Sequence, residues 1–369
     1  MKVFFFYHLL LAFGCMFYAS GGKTQSPAGS PSFSPGLPSS KKGLFASDKV
    51  LDLTLKGNIR SCLNDRDSSK NHSLVLSFRN EDSSEISIPV KVKTRGNFRR
   101  LKENCFYPPL LIRFPKKSSQ KPSVFREQEK LKLVMPCNKD DEFVIREWLV
   151  YKLYNLVTPK SFRTRLVRIK LEDAGNKKKA ASFYGILLEE ERQLAKRNKA
   201  ISVNRRLKPE QTRQHEFLTM AVFQYLIGNT DWSVQYLQNI KLLATDSTAV
   251  PVTVPYDFDH AGLVDAPYAR PAEELLMSSV RERRYRGYCV KDLKIFEKVI
   301  EEFNHLKKKI YALYTSCSFL NAKYIKTTSK YLDEFYETIN NPKTWRKEFS
   351  YPCDKNGTGN VVIKGLKED

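Results

Sequence analysis

Apolar and polar residues alternate along the first part of the chain, most clearly at residues 86–94. A period of two puts every second side chain on the same face, so it predicts strands with one buried face. The predicted strands cover residues 50–55, 73–78, 86–94, 110–114, 130–135, 164–171 and 183–188. The last two flank a polar turn and a run of lysines, which predicts a hairpin with a solvated tip.

A helical period replaces this alternation from about residue 192 onwards. Apolar residues three and four positions apart predict amphipathic helices. The predicted helices of this part cover residues 210–227, 293–313 and 325–339. One earlier helix, at residues 140–156, is predicted among the strands of the first part. One β-hairpin, with strands at residues 239–243 and 250–256, interrupts the helical half. The element order predicts an α+β protein with a β-rich lobe at residues 47–190, a mainly helical lobe at residues 191–369, and a cleft between them for a ligand.

The N-terminal residues have the order of a secretory signal peptide. Residues 1–21 contain Lys2, then an apolar run, then small residues near a cleavage point. Residues 22–46 are rich in Ser, Pro and Gly and are predicted to be a disordered linker. We therefore expect an exported protein, located in the periplasm, in the cell envelope or outside the cell. Lipidation at Cys15 is an alternative, and we expect a membrane partner only in that arrangement.

The charge balance is strongly basic. The 369 residues include 63 Lys and Arg against 40 Asp and Glu, a net charge of +23. This excess attracts phosphates, acidic polymers or membrane headgroups. Nucleic acid is not an expected partner, because the chain is exported and carries no nucleic-acid-binding motif. The nucleophile elbow of hydrolases, the phosphate loop and the dinucleotide fingerprint are also missing from the sequence, which excludes those enzyme classes.

Six of the seven cysteines remain if Cys15 leaves with the signal, an even number in a compartment that permits disulfides. We favour a disulfide between Cys105 and Cys137, which sit at the edges of two predicted neighbouring strands. Two free buried thiols are the alternative. Zinc is not expected, because the sequence has no Cys-x-x-Cys pair and no histidine spacing typical of a metal site.

Acidic and amide residues bracket the second predicted hairpin. Asp231 precedes it, Asn239 begins its first strand, and Asp257 and Asp259 follow its second strand. Because a hairpin returns its ends to one place and paired strands lie about 5 Å apart, we expect these side chains to be neighbours. Carboxylate and amide oxygens are the ligands that bind magnesium together with substrate phosphates. The alternative is that Asp231 and Asp257 only cap turns, as Asp commonly does.

Four short segments resemble atypical kinases. Residues 226–232 look like the catalytic loop of the secreted kinases of the Golgi casein kinase family. Residues 254–262 look like the metal-binding segment of the CotH spore-coat kinase family. Residues 92–97 are similar to the CotH arginine-glycine-asparagine stretch, and residues 184–190 to its strand entering the interlobe hinge.

This resemblance implies a two-lobed atypical protein-kinase-like fold that binds ATP with magnesium or manganese. The implied reaction is phosphoryl or nucleotidyl transfer to a protein or glycan acceptor. Asp231 would orient the attacking hydroxyl, while Asn239 and Asp257 would hold the metal, with Asp259 as the rival of Asp257. The chain departs from the pattern at Trp232, which replaces a basic residue, and in the long spacing from Asp231 to Asn239.

A kinase-type site also needs a cation on the nucleotide phosphates, usually held by a helix glutamate. Glu147 is the candidate glutamate, and the sequence does not choose among the candidate cations. Gly96 would let the backbone approach a phosphate closely. The candidate nucleotide-binding residues are Arg95, Gly96, Asn97, Arg113, Lys132, Glu147, Glu189 and Glu190.

Two other functions remain open from the sequence. One is an inactive kinase-like protein that binds nucleotide without transfer, because ATP is scarce outside the cytoplasm. The other is a basic exported envelope protein that holds acidic polymers, with the hairpin acids serving structure alone.

Overall fold

A computed structural model describes residues 43–80, 83–116, 123–138, 140–175 and 180–353. The expected signal peptide, Cys15 and all but the last four residues of the expected linker lie outside the described residues.

A seven-stranded sheet in the first part of the described chain closes into a barrel. Its strands are β1 (Leu51–Gly57), β2 (His72–Arg79), β3 (Glu85–Thr94), β4 (Leu110–Arg113), β5 (Lys130–Val134), β6 (Thr164–Asp173) and β7 (Ala181–Leu188). The strands neighbour one another in the order β1-β2-β3-β4-β5-β7-β6. Strand β6 runs parallel to β1, with Leu51 opposite Val167, and this pairing closes the sheet. The other pairs are antiparallel.

The barrel closes around its own apolar core because the period-two alternation points one set of side chains inward. In β3 the residues Ile86, Ile88, Val90 and Val92 are buried, while each residue between them is exposed or half-buried. Leucine, isoleucine and valine side chains of the other strands complete this core.

The second part combines helices with a three-stranded sheet of order β10-β9-β8. Its strands are β8 (Ile201–Val203), β9 (Ile240–Ala244) and β10 (Val252–Pro255). The helices of the described chain are α1 (Ile59–Asn64), α2 (Glu142–Val157), α3 (Glu191–Arg197), α4 (Gln214–Ile227), α5 (Ile295–Thr315), α6 (Ala322–Asn340) and α7 (Pro342–Phe349).

Helices α2 and α4 are central because they are apolar on nearly all sides. Every side chain from Phe217 to Ile227 in α4 is buried. Helix α2 contacts β6 and β7 of the barrel and also α5 of the helical part. Helix α2 also reaches the segment after β10, because Tyr151 Oη accepts a hydrogen bond from the Asp257 backbone N–H.

The expectation of a two-lobed kinase-like fold with a mainly helical second lobe is wrong. The first part is a closed barrel, and the second part contains a separate sheet alongside its helices. The alternation identified the strands, but it carries no information about which strands pair at the ends of a sheet. The parallel pairing of β6 with β1 is a long-range contact that local patterns do not encode.

Two disulfides cross-link the described chain, and they indicate an oxidising compartment of the kind that exported proteins reach. Cys105 pairs with Cys137 across a Cα–Cα distance of 4.6 Å, the pairing that strand adjacency favoured. Cys289 pairs with Cys353 at a Cα–Cα distance of 5.0 Å. Cys62 and Cys317 are free and buried. None of the described helices combines the length and the apolar character needed to cross a membrane.

Candidate functional site

The open end of the β9–β10 hairpin brings the predicted metal-binding residues to one region. The Tyr256 backbone N–H donates a hydrogen bond of 3.0 Å to the carbonyl oxygen of Asn239. Asn239 and Asp257 both adopt left-handed backbone conformations, with φ of 51° and 65°. Such conformations are costly for residues other than glycine and concentrate at functional sites. The hairpin therefore ends in two strained polar residues.

Asp231 lies on the loop that leads from α4 to this hairpin. Its backbone N–H donates to Asn229 Oδ1 at 3.0 Å. Its carboxylate accepts hydrogen bonds from Gln238 Nε2 at 2.5 Å and from Asn239 Nδ2 at 3.0 Å. Because the Asn239 amide nitrogen also donates to the Asp231 carbonyl, its side chain is held with Oδ1 free to accept another partner.

Arg286 holds the backbone of the Asp231 loop in place. This buried guanidinium donates to the carbonyl oxygens of Thr230 at 2.6 Å and Trp232 at 2.5 Å. The two bonded carbonyls flank Asp231, so its backbone position is set by a buried charged donor and not by loop sequence alone.

Asp257 follows directly after β10 and Tyr256. Its backbone N–H donates to Tyr151 Oη on α2 at 2.9 Å. Its half-buried carboxylate has no hydrogen bond or ion pair within the described chain. Burial, followed by repulsion from Asp259, raises the pKa of Asp257. This oxygen pair is therefore available to an incoming cation.

Asp259 lies two residues further along and is already partnered. Tyr268 Oη donates to Asp259 Oδ2 at 3.0 Å, and Arg99 Nη1 lies 3.7 Å from the same oxygen. Both members of the ion pair are buried, with Asp259 6% and Arg99 8% exposed. Arg99 also donates to the carbonyl oxygen of Met135 after β5. Although burial opposes it, the neighbouring Tyr268, Asp259 and Glu147 raise the pKa of Arg99.

Glu147 adds a third carboxyl group from α2. Its side chain is 2% exposed, and Oε1 has no hydrogen-bond partner among the described residues. Burial, then repulsion from Asp259 and Asp257, raises the pKa of Glu147, and Arg99 opposes this effect. A buried carboxyl oxygen without a partner is costly unless something else satisfies it.

Two cations face the carboxylates from the barrel. Lys132 projects from the outer face of β5, with Nζ 4.8 Å from the centroid of the Tyr256 ring. Burial, followed by repulsion from Arg95 and Lys241, lowers the pKa of Lys132 to about 8, against the attraction of Asp257. Arg95 is anchored just after β3, where its N–H donates to the carbonyl oxygen of Pro109 at 2.9 Å.

The electrostatics of this cluster fit a divalent cation with a phosphate. Asp257, Asp259 and Glu147 repel one another, and a cation would relieve that repulsion. Lys132 and Arg95 also repel each other, and an anion would relieve the repulsion between these two cations. The available donors are carboxylate and amide oxygens, the ligand type that Mg²⁺ takes together with phosphate oxygens and water.

Within the described ranges, no three His, Cys, Asp or Glu side chains form a group that could hold a metal ion by themselves.

Three predicted nucleotide-binding residues lie apart from this cluster. Arg113 is exposed on the barrel surface, opposite Lys91 in β3. Glu189 is buried against Arg197, which donates to both of its carboxylate oxygens at 2.9 Å. Glu190 forms a 3.0 Å ion pair with Lys130. The contacts of Glu189 and Glu190 account for these two side chains as parts of the fold.

Gly96 and Asn97 lie beside Arg95 on the turn after β3. Gly96 has φ of 86°, and its carbonyl oxygen accepts a hydrogen bond from Arg100 Nε at 2.9 Å. Asn97 is exposed, with its side chain not capping the short turn of 3-10 helix at Phe98–Arg100. This turn delivers Arg99 to the cluster.

Sequence reasoning missed Arg99 and Tyr268. Arg99 is one of 63 basic residues, and its burial beside Asp259 depends on the barrel bringing the turn after β3 against the loop after β10. Its place four residues after Arg95, just beyond the stretch that resembles CotH kinases, was the one available signal. Tyr268 carried no local signal.

Comparison with known proteins found no matching family model and no matching curated protein. The resemblance to CotH-like kinases therefore stays a prediction from short motifs.

Proposed function

We propose that this protein is exported, binds a nucleoside triphosphate with Mg²⁺ at the end of the β9–β10 hairpin and transfers a phosphoryl group to a hydroxyl acceptor. The observation that carries the proposal is that a group of mutually repelling carboxylates lies close to a group of mutually repelling cations. Carboxylates from α2 and the β10 loop face cations from β3 and β5 in one buried cluster. The CotH-like motifs at residues 92–97 and 254–262 fall on the same cluster.

In this proposal Asp257 and Asn239 Oδ1 hold the metal, and Lys132 and Arg95 bind the phosphates. Mg²⁺ held by these two residues would supply positive charge that offsets the negative charge of the phosphates during transfer. Asp259 is held by Arg99 and Tyr268, so it supports the cluster by fixing the loop. Of the two aspartates, Asp257 is therefore the one that we assign as the metal ligand.

Asp231 would orient the acceptor hydroxyl and take its proton. The acceptor oxygen then bonds to the γ-phosphorus while the bond from that phosphorus to the bridging oxygen breaks, and the nucleoside diphosphate leaves with that electron pair. The hydrogen bonds from Gln238 and Asn239 fix the orientation of the Asp231 carboxylate. Positioning of this kind is the main contribution of a protein to phosphoryl transfer.

A second candidate is nucleotide binding without transfer. It is favoured by the same two hydrogen bonds, because both oxygens of the Asp231 carboxylate already have a donor, and an acceptor hydroxyl would have to compete with Gln238 and Asn239 for them. Trp232 in place of a basic residue supports the same interpretation.

Thermal unfolding with and without ATP and Mg²⁺ tests the binding step. Ligand at 100 times its dissociation constant should add about 2.7 kcal/mol to the free energy of unfolding of the wild-type protein. The Asp257→Asn variant should lose the magnesium-dependent part of this shift. Its ligand-free form should melt no lower than wild type, because the substitution removes a buried charge whose pKa is raised by burial and Asp259.

Asp231→Asn separates transfer from binding. It should keep the thermal shift and lose transfer of labelled γ-phosphate to dephosphorylated casein or to the chain itself. Wild-type protein that binds ATP and never transfers phosphate would favour the second candidate. Absence of any shift in wild-type protein with ATP, GTP, Mg²⁺ or Mn²⁺ would contradict both candidates.

A further inference from the structure

An apolar groove lies on the barrel, between α1, the connected ends of β6 and β7, and the loop before β4. It has a volume of about 210 Å³. Its floor and walls are lined by Ile59, Leu63, Phe106, Tyr107 and Leu171. Phe106 is 52% exposed, although a large apolar side chain gains free energy when it is removed from water. None of these residues belongs to the proposed nucleotide site.

The rim of the groove is basic. Arg60 and Lys102 are exposed there, and neither makes an ion pair within the described chain. Asp173 is the acidic residue of the lining, and its Oδ1 accepts a hydrogen bond from the Arg60 backbone N–H at 3.2 Å. The groove thus combines an apolar interior with two unpaired cations at its mouth.

Arg66 holds the wall that carries Phe106. Its guanidinium donates to the carbonyl oxygens of Arg100 at 2.9 Å, Cys105 at 3.2 Å and Phe106 at 3.0 Å. The disulfide between Cys105 and Cys137 links the same wall to the segment that follows β5. These contacts fix the backbone of the wall at Cys105 and Phe106. The groove is therefore built before any ligand arrives, which lowers the entropic cost of binding.

We propose that this groove binds a free, single-chain anionic amphiphile, with the chain against Leu63, Tyr107 and Phe106 and the carboxylate or phosphate headgroup at Arg60 and Lys102. Charge complementarity selects the headgroup, since a neutral one would leave both cations unpaired. The size of the groove selects one chain and not a protein segment, because protein interfaces of ordinary stability cover a far larger surface.

Calorimetric titration with dodecanoate below its critical micelle concentration tests the proposal. Wild-type protein should bind with one site, and affinity should fall as salt is raised. The double variant Arg60→Gln/Lys102→Gln should bind at least about tenfold more weakly, the effect expected from losing charged hydrogen bonds. Both residues are exposed, so the fold should persist, and unchanged thermal unfolding verifies this.

The matched control is Lys291→Gln/Lys343→Gln, which removes the same charge from exposed positions away from the groove. It should bind dodecanoate as wild type does. Equal loss in both double variants would overturn the proposal in favour of a general charge effect. Failure of wild-type protein to bind dodecanoate would also overturn it, and binding to anionic phospholipid vesicles alone would then identify a membrane-contact surface. Nucleotide binding is unaffected by either result, so the two proposals fail separately.

Discussion

Lys132 shows how a single side chain can be held ready for an anion. Burial lowers its pKa first, followed by repulsion from Arg95 and Lys241, while Asp257 and Glu191 attract the charged form. The lowering effects outweigh the attraction, so the pKa of Lys132 falls from its ordinary value to about 8. A phosphate beside Lys132 and Arg95 would offset the repulsion between these two cations.

This pKa predicts a pH dependence of nucleotide affinity. Below pH 8 the Lys132 ammonium is charged and attracts phosphate, and above pH 8 the ligand-free protein must take up a proton in order to bind. Affinity should therefore fall as pH rises through 8, by at most about tenfold per pH unit. Fluorescence titration with a labelled ATP analogue on both sides of pH 8 measures this.

Lys132→Arg is the control for that dependence, because a guanidinium keeps its charge throughout this range. Its affinity should stay flat across pH 8. A fall of equal size in wild type and Lys132→Arg would show that another group titrates, and the role given to Lys132 would be wrong.

At the residue scale, sequence patterns found the acids better than the cations. Asp231, Asn239 and Asp257 flank a hairpin, and the pairing of its two strands brings the residues at its ends close together. Arg99 and Tyr268 reach Asp259 from separate parts of the chain, and only the folded structure joins them. The position of a buried ion pair is a long-range property, whereas a hairpin end is a local one.

At the element scale, the end of α4 sets the start of the Asp231 loop. Gly228 has φ of 67° and terminates the helix. A Cβ atom there would lie 2.2 Å from Tyr331 Oη and 3.0 Å from the Val280 carbonyl oxygen. The backbone conformation and the close packing both require glycine.

Gly228→Ala should therefore lower the free energy of unfolding by about 1–3 kcal/mol and weaken nucleotide binding by moving the Asp231 loop. Chemical denaturation and ATP titration measure the two effects.

Tyr331→Phe provides a rescue of this variant. Tyr331 Oη has no hydrogen-bond partner among the described residues, so its removal alone should be nearly neutral and should relieve part of the Gly228→Ala clash. A double variant as unstable as Gly228→Ala would show that backbone strain, and not the contact with Tyr331, dominates.

The Cys105–Cys137 disulfide should contribute both to the stability of the fold and to nucleotide affinity. It closes a segment with a sequence separation of 32, for which chain entropy predicts about 3–4 kcal/mol of stabilisation. Cys105→Ser/Cys137→Ser should unfold more readily and should bind nucleotide more weakly, because the bond holds the end of β5 beside the loop that follows Arg99. Calorimetric melting and ATP titration measure both changes.

Cys289→Ser/Cys353→Ser is the comparison for this effect, since neither cysteine lies on the elements or loops that carry Lys132, Glu147 or Asp257. It should lose stability and keep nucleotide affinity. Equal losses of affinity in the two double variants would indicate a general effect of destabilisation, and the specific role of the first bond would be contradicted.

At the scale of the whole molecule, the alternation and the helical period located most of the long elements. They did so because burial on one face leaves a direct trace in the sequence, as in β3 and α5. Short elements such as β8 and α1 were not predicted, since three to six residues carry too little periodicity.

Topology was the part of the fold that the sequence did not disclose. Closure depends on β6 returning beside β1 with Leu53 opposite Ile169, a contact between distant segments. A family resemblance carried by short motifs supplied a topology in its place, and that topology was wrong. Three of the motifs, at residues 92–97, 226–232 and 254–262, nevertheless fall near one another in the folded chain, whereas Glu189 and Glu190 of the fourth lie apart. The site proposal rests on these three segments and not on the expected topology.

The net charge of +23 also acts at this scale, because it raises the local concentration of any polyanion around the protein. Retention on a polyanion column would therefore occur whether or not a nucleotide site exists. Binding to acidic polymers alone cannot separate the envelope-protein interpretation from the nucleotide proposal, whereas dependence on Mg²⁺ and on Asp257 can.

A crystal structure of the protein with Mg²⁺ and a non-hydrolysable ATP analogue tests the central claim most directly. The account predicts a metal bonded to the Asp257 carboxylate at about 2.1 Å, shared with phosphate oxygens that contact Lys132 or Arg95. A nucleotide bound elsewhere, or a phosphate chain at this cluster with no metal on Asp257, would contradict it.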